Sequence, residues 1–224
     1  LKRLQYPTRS PLSFIFSMPS LRDLITAARS GDRLISFPTD TVPALAVRPD
    51  RAALIFAAKQ RSQTKPLILM GADSADLWEF TAGSAEEKQI WQQVAEQYWP
   101  GALTLVLPAS IHLPAAVNPT DPTTIGIRVP NSAIARHILS QTGPLATTSA
   151  NRSGEPPLQT MEAIAAQFPE VLTLSSSELD KLEQTLSPTT PSALDSATSQ
   201  GVPSTVIRWQ DNQWKILRQG SIQL

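Results

Sequence analysis

The sequence predicts an α/β protein: one domain built on a twisted, mixed β-sheet with flanking helices. Short apolar runs alternate with amphipathic helical patterns through most of the 224 residues. The last two runs, 205–209 and 214–217, flank residues 210–213 and read as an antiparallel hairpin, which argues a mixed rather than a purely parallel sheet. The length suits one sizeable core and is short for two.

In chain order, Ser20 is placed to cap a helix whose apolar positions Leu21, Leu24, Ile25 and Ala28 share a face, and Gly31 ends it. Residues 34–37 read as a strand stopped by Pro38, and 44–47 as a second. Asp50 is expected to cap a helix through Ala53, Leu54 and Ala57. A buried strand is expected at 67–70 and helices at 73–80 and 84–98. Pro100-Gly101 then breaks the chain before an apolar strand at 102–107. Another strand at 124–129, a helix at 132–141 and a strand at 145–148 follow, the last running into Ser149. Residues 160–167 look helical and 171–174 extended. The domain is expected to span 18–224. Residues 1–17 read as an N-terminal extension, with Met18 a candidate natural start. Residues 185–203, rich in Ser, Thr and Pro, read as a flexible loop.

Composition narrows the chemistry. With 41% hydrophobic and 17% charged residues the chain is globular rather than disordered. No apolar run approaches the ~18 residues of a membrane span. The absence of cysteine removes disulfides, thiolate zinc sites and a cysteine nucleophile, and fits a cytoplasmic setting. The two histidines, His112 and His137, are far apart in sequence and form no helical metal-binding pair. Residues 1–65 hold eleven Lys and Arg against four Asp, an excess of +7 within a net charge of zero. Such an excess is either scattered solvated charge or a surface for a polyanion. No glycine pattern forms GxGxxG or GxxxxGK, so any nucleotide must be held by side chains and helix ends.

Three segments look chemical. Phe37-Pro38-Thr39-Asp40-Thr41-Val42-Pro43 sets two hydroxyls and a carboxylate just after a strand. Lys59-Gln60-Arg61 closes a helix. Its cations either serve the helix C-terminus or, where the chain has left the helix, converge on one anion. Thr147-Thr148-Ser149-Ala150-Asn151 follows the C-terminal end of a strand, where open α/β sheets place ligands, yet alone it would pass for a polar turn.

Taken in order, these segments resemble the YrdC-like family of threonylcarbamoyladenylate synthases. That family carries a Pro-Thr-Glu-Thr-Val-Tyr-Gly-Leu segment, Lys-x-Arg, Trp-Pro-Gly-x-Leu-Thr, Val-Arg-Met/Val-Pro, Ser-x-Asn, Pro/Glu-Ser-Thr-Val/Ile and Leu-Arg-x-Gly. Here they stand at 38–45, 59–61, 99–104, 127–130, 149–151, 203–206 and 217–220. The resemblance covers roughly 20–221. It implies a YrdC-like domain that converts L-threonine, bicarbonate and ATP into threonylcarbamoyladenylate and pyrophosphate. The product would feed threonylcarbamoyladenosine formation on tRNA through a threonylcarbamoyl-transfer machinery. By the same resemblance, Lys59, Arg61, Thr104, Ser149, Asn151 and Arg218 would face ATP, with Lys59 and Arg61 catalytic. Thr39, Arg128 and Ser204 would hold threonine, and a Mg2+ ion would bridge the phosphates. Asp40 stands for the family's Glu, Pro43 for its Tyr, Ala44 for its Gly and Met70 for a common His, so the departures gather on the threonine side. A non-catalytic relative binding double-stranded RNA, tRNA or the ribosome is the alternative, supported by the +7 excess. A carbamoyl-phosphate-using enzyme is a third reading, for which the extra zinc-binding and acylphosphatase regions are absent here.

Overall fold

The computed structural model describes residues 19–186 and 201–223. The 1–17 extension and most of the 185–203 loop lie outside the described residues. Six α-helices and eight strands are described: α1 Leu21–Ser30, β1 Ile35–Phe37, β2 Ala44–Val47, α2 Ala53–Lys59, β3 Ile68–Met70, α3 Ala85–Tyr98, β4 Leu103–Pro108, β5 Thr124–Arg128, α4 Ala133–Thr142, β6 Leu145–Ser149, α5 Met161–Gln167, α6 Ser176–Leu186, β7 Thr205–Gln210 and β8 Gln213–Arg218. The strands form one sheet in the order β1-β2-β6-β3-β5-β4-β7-β8. Two neighbouring pairs, β3/β5 and β4/β7, are parallel and the rest antiparallel, so the sheet is mixed as expected. Among the described residues no helix is long and apolar enough to cross a membrane.

Local chemistry accounts for most boundaries. Ser20 and Asp23 form a reciprocal capping box on α1, and Gly31 closes it in the left-handed region at φ 71°. The β7–β8 hairpin turns through Asp211 and Asn212, at φ 56° and 57°, a type I′ pair matched to the strand twist.

Three expectations need correction. Asp50 does not cap a helix. Arg48 takes both its carboxylate oxygens in a fork at 2.6 and 2.7 Å, and α2 starts from a 3-10 turn at Pro49–Arg51. The 73–80 segment forms two 3-10 turns, Ser74–Asp76 and Trp78–Phe80, because the Asp73 side chain caps the first tightly. Residues 171–174 contribute one parallel bridge, Leu172 to Ile35, rather than a strand. Helix α6 was not expected; its Leu179, Leu182 and Leu186 are only partly buried.

The two faces of the sheet are covered unequally, and that inequality makes the site. One face packs along its length against α2, α3 and α5 through Ile55, Phe56, Trp91, Ile164 and Phe168. Leu103, Leu105, Leu107, Ile125, Ile127, Ile207 and Trp209 point into that layer. The opposite face is covered by α1, α4 and α6 only over β1, β2, β6 and β3. Since strand side chains alternate, Thr104, Val106, Thr124, Gly126, Arg128, Val206 and Arg208 face the uncovered half.

After β8 the chain folds back. The Gly220 amide donates to Thr205 Oγ1 at 2.9 Å, and an added Cβ would overlap the Pro203 carbonyl oxygen and the Thr205 amide nitrogen. Gly220→Ala should therefore push apart the segment carrying Ser204 and cost ~1–3 kcal/mol, a typical overpacking penalty. Urea denaturation checks this, and a cost near zero would show that the two segments are not pressed together.

Candidate functional site

Over the uncovered half-sheet lies a cleft of about 480 Å³. Its floor is Gly126, where a Cβ would come within 2.8 Å of Ile68 Cγ2 and 3.4 Å of Thr104 Cγ2. Among the described residues its lining holds four arginines, Arg61, Arg128, Arg208 and Arg218, and a single carboxylate, Asp121. An excess of guanidinium groups in a concave wall favours a polyanion.

Arg128, at the end of β5, is buried together with Asp40. It donates to Asp40 Oδ1 at 2.5 Å, to Thr41 Oγ1 at 2.8 Å and to the Gly101 carbonyl at 3.0 Å. Burial pulls its pKa down, and the Asp40 charge pushes it back up. Three of its five N–H donors are thus engaged by described residues, and two are not. Thr39 lies behind this pair. Its hydroxyl donates to the Val42 carbonyl at 2.8 Å and shares a 3.1 Å hydrogen bond with Thr41, so Thr41 rather than Thr39 lines the cleft.

Lys59 and Arg61 leave α2 in different directions. Gln60 takes the left-handed conformation, with the Gln60 amide on the Ala57 carbonyl at 3.2 Å and the Arg61 amide on the Phe56 carbonyl at 3.0 Å. Lys59 is buried and donates to the Ser149 carbonyl and, at 3.2 Å, to Asn151 Oδ1. The Asn151 amide nitrogen donates to the Arg152 and Glu155 carbonyls at 2.8 and 2.6 Å, which fixes its oxygen toward Lys59 and Ser149 Oγ. Lys59 and Asn151 therefore stand just behind Ser149, which itself lines the cleft. Burial first, and the nearby Arg61 charge second, lower the Lys59 pKa to about 7. Arg61 folds onto its own loop, donating to the Lys65 and Pro66 carbonyls at 3.0 and 3.1 Å, and burial lowers its pKa.

Thr104 on β4 and Ser204, the residue before β7, share a 2.8 Å hydroxyl contact. Arg218 holds the Ser204 carbonyl with two donors, at 2.8 and 3.0 Å, and its pKa is lowered by burial. All three line the cleft, as do Ala44 and Met70, two of the departures from the family pattern. Asp121 and Arg208 belong to none of the ordered motifs. The two-residue alternation from Ser204 through Val206 does put Arg208 on the same face, but only once β7 is known to join β4. Among the described residues no three His, Cys, Asp or Glu side chains cluster for a metal. One cleft carboxylate fits a Mg2+ ion brought in on phosphates and largely hydrated, not a resident metal cage.

Comparison with known proteins finds related sequences and folds. The Sua5–YciO–YrdC family model, described as telomere recombination, matches residues 27–177. A Bacillus subtilis protein named threonylcarbamoyl-AMP synthase is 36% identical over 141 residues, 60% of this chain and 39% of that protein. A Yersinia pestis protein of the same name is 32% identical over 152 residues, 66% of this chain and 78% of that one. The structure of P. abyssi Sua5 complexed with L-threonine superposes with a TM-score of 0.70 at 28% identity, over 89% of this chain and 54% of that one. E. coli YciO shares the fold, with a TM-score of 0.68 at 20% identity over 91% of each chain. The chain thus spans well under two thirds of the B. subtilis protein and about half of P. abyssi Sua5.

Removing Asp40 leaves the Arg128 charge buried without its counter-ion. Asp40→Ala should cost ~3–5 kcal/mol of folding stability, the usual penalty for breaking a buried pair from one side. A loss below ~1 kcal/mol in urea denaturation would mean that solvent already screens Arg128.

Proposed function

The chain belongs to the Sua5–YciO–YrdC family, and on that premise we propose that it makes threonylcarbamoyl-AMP from L-threonine, bicarbonate and ATP, releasing pyrophosphate. The observation that carries this reading is the arginine-lined cleft on the open half-sheet. The product would serve threonylcarbamoyladenosine formation on tRNA, through a threonylcarbamoyl-transfer partner in the cytoplasm.

In this reading the threonine carboxylate takes the two unengaged donors of Arg128, next to Thr41 and Ser204, with Thr39 bracing Thr41 from behind. ATP lies against Arg61, Thr104, Ser149 and Arg218, with the Lys59 charge and Asn151 one layer behind Ser149. The threonine amine and bicarbonate condense with loss of water to a carbamate. A carbamate oxygen then attacks the α-phosphorus, and the bond to the β-phosphate oxygen breaks as pyrophosphate leaves. Two anions must meet for this step, so neutralising charge and aligning the groups are the protein's main tasks. A Mg2+ ion carried by the phosphates would add to that neutralisation, with Asp121 the cleft carboxylate able to face it. Met70, standing for the family's His, makes the threonine side less polar than the family pattern.

The decisive assay is pyrophosphate release from ATP. Release that needs both threonine and bicarbonate is expected. Absence of release together with salt-sensitive RNA binding would favour the non-catalytic alternative. Lys59→Ala and Arg61→Ala should each lower turnover by at least ~100-fold, an electrostatic-stabilisation magnitude. Near-normal turnover in both would remove their catalytic role.

The lowered Lys59 pKa adds a signed prediction. With a value of about 7, Lys59 is mostly neutral at pH 8 in the free protein. Phosphates favour its charged form and raise that pKa, so ATP binding at pH 8 takes up a proton and weakens as pH rises. Calorimetry in buffers of different ionisation enthalpy should show this uptake in the wild type and lose it in Lys59→Met. No uptake, or uptake unchanged in the variant, contradicts the assignment.

A further inference from the structure

Arg208 is the one cleft arginine that no motif of the family resemblance covers. It also differs from the other three in what it touches. Arg61, Arg128 and Arg218 each spend donors on protein oxygens. The Arg208 guanidinium makes no hydrogen bond or close ion pair to any described residue, although it is half-buried and lines the cleft.

Its place in the register is costly. Arg208 sits directly opposite Lys215 across the β7–β8 ladder, so two cations share one side of a strand pair. Like charges so opposed are destabilising unless something neutralises them. Lys215 is tied to Asp211 at 2.8 Å, and Arg208 has no such tie to any described residue. Across the cleft end stands Asp121, whose acidity is increased first by its hydrogen bonds from Thr123 and Thr124 and, more weakly, by the Arg208 charge.

The same register says which part of a ligand Arg208 can reach. Arg208 pairs with Val106 and Val106 with Gly126, so it lies in the row of the cleft floor. Arg128 is two residues further along β5, in the row that holds Thr104 and Val206. One row is roughly 7 Å along a strand, and β7 lies two strands from β5, roughly 10 Å across. Arg208 is therefore set back from the point where a carbamate held at Arg128 meets the α-phosphate. It is on the side where Asp121 could face a phosphate-borne cation.

We propose that Arg208 holds the two terminal phosphates of ATP, and pyrophosphate as it leaves, at the β7–β8 end of the cleft. This rests on the ATP reading above. Arg offers a planar fork suited to phosphate oxygens, and the bound anion neutralises the unpaired charge opposite Lys215.

The test is calorimetric binding of Mg-ATP, Mg-pyrophosphate and AMP to the full chain, as wild type, Arg208→Ala and Arg208→Lys. Arg208→Ala should weaken ATP and pyrophosphate by roughly ten- to a hundredfold, the worth of a hydrogen bond to a charged group, and leave AMP affinity unchanged. Arg208→Lys should recover part of the loss as a point charge. Unchanged AMP binding also reports an intact fold. An equal loss for AMP, or no loss for ATP, overturns the inference while leaving the ATP site standing. A wild-type chain that binds none of the three overturns the ATP reading itself.

Discussion

One buried guanidinium ties the site together. Arg128 joins the end of β5 to Asp40 and Thr41 after β1 and to Gly101 before β4, segments 88, 87 and 27 residues away in sequence. A buried charge costs several kcal/mol unless a counter-ion and hydrogen bonds offset it. Asp40 supplies the charge, and Thr41 and Gly101 supply oxygen acceptors. The result is a preorganised guanidinium at the edge of an open cleft, with two donors that no described residue takes. Arg218 raises the stakes, because its nearby charge disfavours the charged form of Arg128. Arg218 is held in turn by Ser204, and Ser204 by the fold-back at Gly220.

The cleft exists because the sheet is longer than its second helical layer. Helices α1, α4 and α6 cover β1, β2, β6 and β3 and stop there. Over the remaining strands the alternation of side chains does the rest, turning leucines and isoleucines to the closed face and Thr104, Gly126, Arg128 and Arg208 to the open one. The open half is therefore polar and cationic without any glycine-rich phosphate loop. Charge is supplied by side chains from four segments, which fits a reaction whose barrier is dominated by bringing anions together.

Much of this could be read in the sequence. The alternation of elements, the α1 caps and the closing hairpin rest on local chemistry: Ser20 with Asp23, Gly31, and Asp211-Asn212. What failed locally failed by competition. Asp50 could have capped α2, but a forked ion pair with Arg48 is the better partner. Helix α6 escaped notice because its leucines are spaced among charged residues and bury only partly. In the site, the ordered motifs located Arg61, Thr104, Arg128, Ser149, Ser204 and Arg218, and all six line one cleft. The directions of Lys59 and Arg61 were beyond reach, because they follow from the left-handed turn at Gln60, a residue with no preference for it. Arg208 and Asp121 were missed for a different reason: only the strand order brings them to the cleft.

If the site is read correctly, substrates lie on the open half-sheet around Arg128. A crystal structure of the chain with L-threonine and a non-hydrolysable ATP analogue tests it most directly. The analogue should lie over Gly126 with its phosphates among the cleft arginines, and the threonine carboxylate on the two donors of Arg128 that no described residue takes, while Asp40 keeps its bond. Ligands bound elsewhere, or an empty open half-sheet at saturating concentrations, would contradict it.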